Sequence, residues 1–101
     1  MRELLAPLVW RRHRFRATVA RLGGAHGGET RLLLRDLADA ETGMMLADHV
    51  WVDYTARVRA LCLPFGRRVT LSAVVNRYAR RGSDQEYGLC SLRSDTKEQH
   101  R

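Results

Sequence analysis

The chain has no apolar run long enough to cross a bilayer. A membrane-spanning helix needs roughly 18 to 20 apolar residues, and the apolar runs here are short and interrupted by charge. We therefore expect a soluble protein with no membrane partner. The apolar stretch 4–10 precedes Arg11 and Arg12 directly and has no small-residue cleavage site, which argues against a signal peptide. We interpret residues 1–12 as an N-terminal arm or an extra strand.

Cysteine is also scarce. Cys62 and Cys90 show no Cys-x-x-Cys spacing, and neither has a histidine within three or four residues. This spacing does not fit a zinc site. It favours reduced thiols in a cytoplasmic protein, with a single disulfide left open as the alternative.

The sequence lacks a recognisable catalytic or metal-binding motif. The glycine-rich stretch 23–28 has no Gly-Lys-Ser/Thr ending and precedes no helix, so it does not resemble a phosphate-binding loop. His49 and Asp53 share one face of a predicted strand, but two ligands without a third make a weak metal site, and a structural pair is favoured. We expect no catalytic residue, no cofactor and no metal.

Basic residues are abundant but unevenly distributed. The chain has 18 Lys and Arg against 11 Asp and Glu, a formal net charge of +7. Residues 1–35 carry 8 basic and 2 acidic residues, residues 36–56 carry none and 5, and residues 57–101 carry 10 and 4. A basic excess is typical of a nucleic-acid binder, because phosphate contacts release counterions.

The 101 residues fit one small domain, and the hydrophobic pattern predicts mainly strands. In 67–78, Val69, Leu71, Ala73 and Val75 alternate with polar residues, which indicates a half-buried strand. Similar but weaker patterns predict strands over 13–22, 30–37, 44–52 and 86–92. Between the third and fourth strands, 56–61 contains good helix formers, and Pro64 and Gly66 follow it.

The order of these elements resembles the OB-fold. The passage Leu61-Cys62-Leu63-Pro64-Phe65-Gly66-Arg67-Arg68-Val69-Thr70-Leu71-Ser72-Ala73-Val74-Val75 is similar to the helix-to-strand passage of many OB domains. The resemblance implies an all-β, five-stranded Greek-key barrel over residues 13–93, with one short helix between strands 3 and 4. Residues 94–101 would form a frayed tail. It also implies a binding face on strands two and three, flanked by loops 23–28 and 80–85.

The function expected from this fold and charge is non-catalytic binding of single-stranded DNA or RNA, with basic side chains on the backbone and aromatic rings stacked on bases. The candidate residues are Arg14, Arg16, Arg31, Arg35, Trp51, Tyr54, Arg77, Tyr78, Arg80, Arg81 and Tyr87. Trp51 could instead fill the barrel. The alternative function is a protein-interaction module or regulatory adaptor, in which the acidic segment 36–53 docks a basic partner or a second copy of the chain.

Overall fold

The predicted strands and helix are present in a computed structural model, which describes residues 2–24, 30–79 and 85–94. The elements are a 3₁₀ helix (Arg2–Leu8), β1 (Arg12–Gly24), β2 (Thr30–Asp39), β3 (Met45–Asp53), α1 (Ala56–Ala60), β4 (Arg68–Ala79) and β5 (Gln85–Ser94). A mostly β fold with five antiparallel strands and one short helix is thus confirmed. Across these three ranges, no helix is both long and apolar enough to cross a membrane.

The N-terminal segment adopts helical turns where an arm or an extra strand is predicted. Its helix packs against β3, β4 and β5, and the Leu5 side chain is fully buried. Pro7 lies inside this helix, and because proline has no backbone N–H it cannot donate to a strand ladder. After this helix, Val9 forms an isolated β-bridge with Val75 of β4. The segment therefore contributes to the core as a helix.

The five strands form one sheet in the order β3-β2-β1-β4-β5, and every hydrogen-bonded pair is antiparallel. Strand β1 pairs with β4 over residues 12–18 and with β2 over residues 15–24, so it lies at the centre of the sheet. The two edge strands, β3 and β5, lie close to each other. No ladder joins them in the described residues, so the sheet curls on itself but is not closed by hydrogen bonds.

The core lies on the concave face of this curled sheet. The alternation predicted for β4 is confirmed, since Leu71, Ala73 and Val75 are fully buried. The other inward strand residues include Phe15, Ala17, Val19, Leu32, Leu34, Val50, Val52, Leu89 and Leu92. Burying one large apolar side chain contributes about 1.5–3 kcal/mol. In β4 the period of two in the sequence thus identifies the buried face.

Helix α1 is a short connector between β3 and β4. The Thr55 hydroxyl caps it by accepting a hydrogen bond from the Val58 backbone N–H at 3.2 Å. Val58 itself is buried in the core. Gly66 then turns the chain into β4 with φ +82°, a conformation that favours glycine. The position of the helix matches the sequence-based prediction for residues 56–61.

Candidate nucleic-acid interface

The outer face of β1, β2 and β3 carries three rows of side chains, each row crossing all three strands. Directly opposite residues in such rows have adjacent side chains. We call this surface the tryptophan face. Its rows are Thr18, Arg35 and His49; Arg21, Leu33 and Trp51; and Gly23, Arg31 and Asp53.

Trp51 lies on this outer face and does not fill the interior, which decides between the two placements that the sequence leaves open. It is half-buried and is not part of the core cluster. The guanidinium carbon of Arg21 lies 5.5 Å from the centroid of its ring, within the range of a cation–π contact. Leu33 is directly opposite Trp51 and only 3% exposed. The indole is therefore supported by neighbours while part of it faces solvent.

Arg21 is a site residue that the alternating pattern does not reveal. The pattern puts Phe15, Ala17 and Val19 on the inner face, which would place Arg21 inside as well. A shift in the β1–β2 register lies between Val19 and Arg21, and an extra residue in one strand reverses the alternation beyond it. Arg21 therefore faces outward beside Trp51. The sequence does contain a signal for this change: the inward series 15, 17 and 19 would continue at Arg21, and a charged residue is unfavourable in the core.

The tryptophan face carries both signs of charge. Arg31 Nε lies 3.6 Å from Asp53 Oδ1 at its edge, and His49 Nδ1 lies 3.3 Å from Asp48 Oδ1. His49 and Asp53 share the face as predicted, but each has a different charged neighbour. Within the described part of the chain, no group of three or more His, Cys, Asp or Glu side chains could hold a metal ion. Arg35 is exposed in the middle of the face.

A cleft of about 390 Å³ adjoins the face where β3 lies next to β5. Trp51 and Asp53 line it on one side, and residues of β5 line it on the other. Two polar atoms in this lining, Arg31 Nε and Asn76 Oδ1, are buried and have no hydrogen-bond partner among the described residues. A ligand that presents both an acceptor and a donor would satisfy them, since unpaired buried polar groups are unfavourable.

The remaining predicted aromatic residues do not lie on the tryptophan face. Tyr54 and Tyr87 are partly buried and pack against the core. Arg77, directly opposite Tyr87, is exposed at the far end of β4. Arg80, Arg81 and the side chain of Tyr78 lie outside the described residues, as do 25–28 of one predicted loop and 80–84 of the other.

Arg14 and Arg16 lie on the part of β1 that pairs with β4. Arg14 is directly opposite Ser72, and Arg16 is directly opposite Thr70. Both arginines are exposed. Their row positions place them on the outer surface of β1, β4 and β5, beside the tryptophan face and not on it.

Asp39 and Glu41 of the acidic segment form hydrogen bonds with other residues of the chain. His13 Nε2 donates a hydrogen bond to Asp39 Oδ2 at 2.8 Å, and the backbone N–H groups of Glu41 and Thr42 donate to Asp39 Oδ1. These contacts, the one from His13 first, hold the pKa of Asp39 below its ordinary value. Arg14 donates to Glu41 at 2.7 Å.

The chemistry that these residues offer is that of binding. Trp51 presents a ring face, the arginines present N–H donors, and the cleft presents one donor and one acceptor. Both cysteines, exposed Cys62 and half-buried Cys90, are free thiols. Comparison with protein-family models, with curated proteins and with solved structures gives no match for this chain.

Proposed function

We propose that this chain is an OB-type barrel domain that binds single-stranded nucleic acid without catalysing a reaction. One observation carries the proposal. Trp51 is half-exposed on the outer face of β3, with Arg21 against its ring and Arg35 in the neighbouring row. Proteins that bind single strands combine such basic side chains with aromatic rings on which bases stack.

The strand arrangement supports an OB-type barrel. An OB-fold is a five-stranded, partly open Greek-key barrel that binds oligonucleotides on the face of strands 2 and 3. Here β2 contributes Arg31 and Arg35 to the outer face, and β3 contributes Trp51. Two edge strands that lie side by side without pairing fit a partly open barrel.

The composition of the face favours a single strand with little reading of sequence. A base must be unstacked before its ring can lie on Trp51, and unpaired bases meet that condition. Stacking tolerates every base, because each has a π-face. Arg21 and Arg35 would contact phosphates, which carry no sequence information.

Docking of a basic protein on the acidic segment is less well supported. Asp39, Glu41 and Asp53 lie against His13, Arg14 and Arg31 of the same chain. A basic partner would have to replace these contacts at all three carboxylates, whereas Trp51, Arg21 and Arg35 are outside them. Nucleic-acid binding therefore remains the first proposal.

A salt titration tests the proposal. We expect the full chain to bind a labelled single-stranded oligonucleotide more tightly than its duplex, with affinity falling steeply as salt rises. Arg35→Ala should weaken binding and reduce the slope of log K against log salt by about 0.7, the value for one lost phosphate contact on a single strand. Arg59→Ala, which removes the same charge from exposed α1, is the matched control. Absence of binding at low salt would contradict the proposal.

A further inference from the structure

We propose a second ligand site, for a phosphoryl group, on the outer surface of β1, β4 and β5. We call it the arginine groove and define it by Arg12, Arg14, Ser72 and Arg93, which line a depression of about 480 Å³. Arg14, Ser72 and Arg93 form one row, because Arg14 is directly opposite Ser72 and Ser72 is directly opposite Arg93. The site does not depend on the proposed function of the tryptophan face.

The side chain of Arg12 is held in place before any ligand binds. Its Nη1 donates to the Ser72 hydroxyl at 2.8 Å, and its Nη2 donates to the Ser91 carbonyl oxygen at 2.8 Å. A guanidinium has five N–H donors, so these two contacts leave others for a ligand. Because Ser72 accepts from Arg12, its own O–H can donate to the same ligand. Fixing the donors in advance lowers the entropy lost on binding.

The charge of the groove selects an anion. Arg12, Arg14 and Arg93 supply three positive charges, and Glu41, which lies 2.7 Å from Arg14, supplies one negative charge. These four side chains carry a formal charge of +2. Guanidinium groups bind phosphoryl oxygens through paired, charge-assisted hydrogen bonds. A phosphate dianion, or two successive phosphodiesters, would neutralise the groove.

The groove is chemically unlike the tryptophan face. Its described lining contains no Trp, Tyr or Phe side chain, and it offers arginine and serine donors beside the ring of His13. One basic row lies between the two surfaces, in which Arg16 is opposite Thr70. The Thr18 row of the tryptophan face continues onto β4 at Arg68, which is directly opposite Thr18. A nucleic-acid backbone leaving Trp51 could therefore continue to the groove, and a free phosphate could enter it alone.

Titration of the full chain with inorganic phosphate tests the groove. In two-dimensional ¹H–¹⁵N spectra we expect saturable shifts centred on Ser72 and Arg93. The double variant Arg12→Ala/Arg93→Ala should weaken phosphate binding at least about tenfold, the equivalent of 1.4 kcal/mol. The matched control, Arg57→Ala/Arg59→Ala, removes two charges from α1 and should bind as the parent chain does. If the groove double variant does not fold, Ser72→Ala tests the same site with a smaller change.

Two results would overturn the proposal. One is a set of shifts that do not saturate, and the other is equal phosphate binding by the groove variants and the parent chain.

Oligonucleotides of about 4 and about 16 nucleotides then distinguish the two sources of the phosphoryl group. Weaker binding of only the longer one by the groove variant would identify the backbone as the source. Unchanged oligonucleotide binding together with lost phosphate binding would identify a free phosphate.

The experiments distinguish an error in the proposal for the groove from an error in the proposal for the tryptophan face. Trp51→Ala should reduce oligonucleotide binding and leave the response to inorganic phosphate unchanged. If the chain binds phosphate in the groove but binds no oligonucleotide, the proposal for the groove stands and the proposed function is wrong.

Discussion

Gly23 leaves the space that the ring of Trp51 occupies. A Cβ atom on residue 23 would lie 2.9 Å from Trp51 Cη2, closer than two carbon atoms normally approach. We therefore expect Gly23→Ala to displace the indole and to weaken binding of a single-stranded oligonucleotide. A stacked base contributes about 1–3 kcal/mol, so the loss should be at least about fivefold, measured by fluorescence anisotropy.

The control for this change is the neighbouring glycine. A Cβ on Gly24 would meet no described atom within 4 Å. Gly24→Ala should therefore leave the affinity close to that of the parent chain. If Gly23→Ala and Gly24→Ala lose the same affinity for the oligonucleotide, displacement of the Trp51 ring is not the cause of the loss.

Leu33 and Leu34 are adjacent and both buried, but they lie on opposite faces of β2. Leu34 belongs to the core, whereas Leu33 lies opposite Trp51 on the outer surface. We expect Leu34→Ala to destabilise the fold by about 2–5 kcal/mol, as measured by urea unfolding. Leu33→Ala should destabilise it less and should weaken oligonucleotide binding, because it removes the support beneath Trp51. The reverse order of stabilities would contradict the assignment of faces.

Strand β4 could be predicted because its buried residues repeat with period two. The prediction of 67–78 and the observed β4 (Arg68–Ala79) differ by one residue at each end, and Leu71 and Val75 point inward as expected. The acidic middle of the chain was also visible in the sequence. Its contacts with His13 and Arg14 were not, because they join residues that are 26 and 27 positions apart.

The composition of the site was less predictable, because it depends on the curl of the sheet and on strand register. One register shift after Val19 brings Arg21 beside Trp51. Tyr54 and Tyr87 pack against the core, and local alternation gives no information about that packing. Arg93 lies opposite Ser72 only because β5 pairs with β4 in this register.

The carboxylate of Asp39 should make stability depend on pH in the acid range. Its pKa is lowered in the folded chain, first by the hydrogen bond from His13 and then by the backbone of Thr42 and Glu41. The folded state therefore binds fewer protons than the unfolded state near the ordinary value of about 3.9. This stabilisation is complete above that value and is lost as the pH falls through the folded pKa.

Urea unfolding of the parent chain and of Asp39→Asn measures this effect. The parent chain should be the more stable of the two above the ordinary pKa of about 3.9, and the difference should shrink as the pH falls below that value and through the folded pKa. Asparagine keeps a side-chain oxygen that can accept from the turn, but it puts an amide donor where Asp39 Oδ2 accepts from His13. The variant therefore removes the charge and the His13 hydrogen bond together. If the difference in free energy of unfolding between the two proteins stays constant as the pH falls, the carboxylate of Asp39 is not the source of the pH dependence.

Asn76 is expected to favour ligand binding at the expense of stability. Its Oδ1 is buried beside the cleft and lacks a hydrogen-bond partner in the described structure, so an apolar side chain of similar size should fit there at least as well. We expect Asn76→Leu to leave the free energy of unfolding unchanged or to raise it by about 1 kcal/mol, and to weaken oligonucleotide binding. A loss of stability together with full affinity would contradict this expectation for Asn76.

The most direct test of the central claim is the fluorescence of Trp51 during titration with a single-stranded oligonucleotide. The chain has two tryptophans, and Trp10 is 62% exposed outside the tryptophan face, so Trp10→Phe leaves Trp51 as the only reporter. We predict saturable quenching of Trp51 at the same concentrations that raise the anisotropy of the labelled oligonucleotide. The emission of Trp10 in Trp51→Phe should change little. Binding by anisotropy without any change in Trp51 emission would contradict the account.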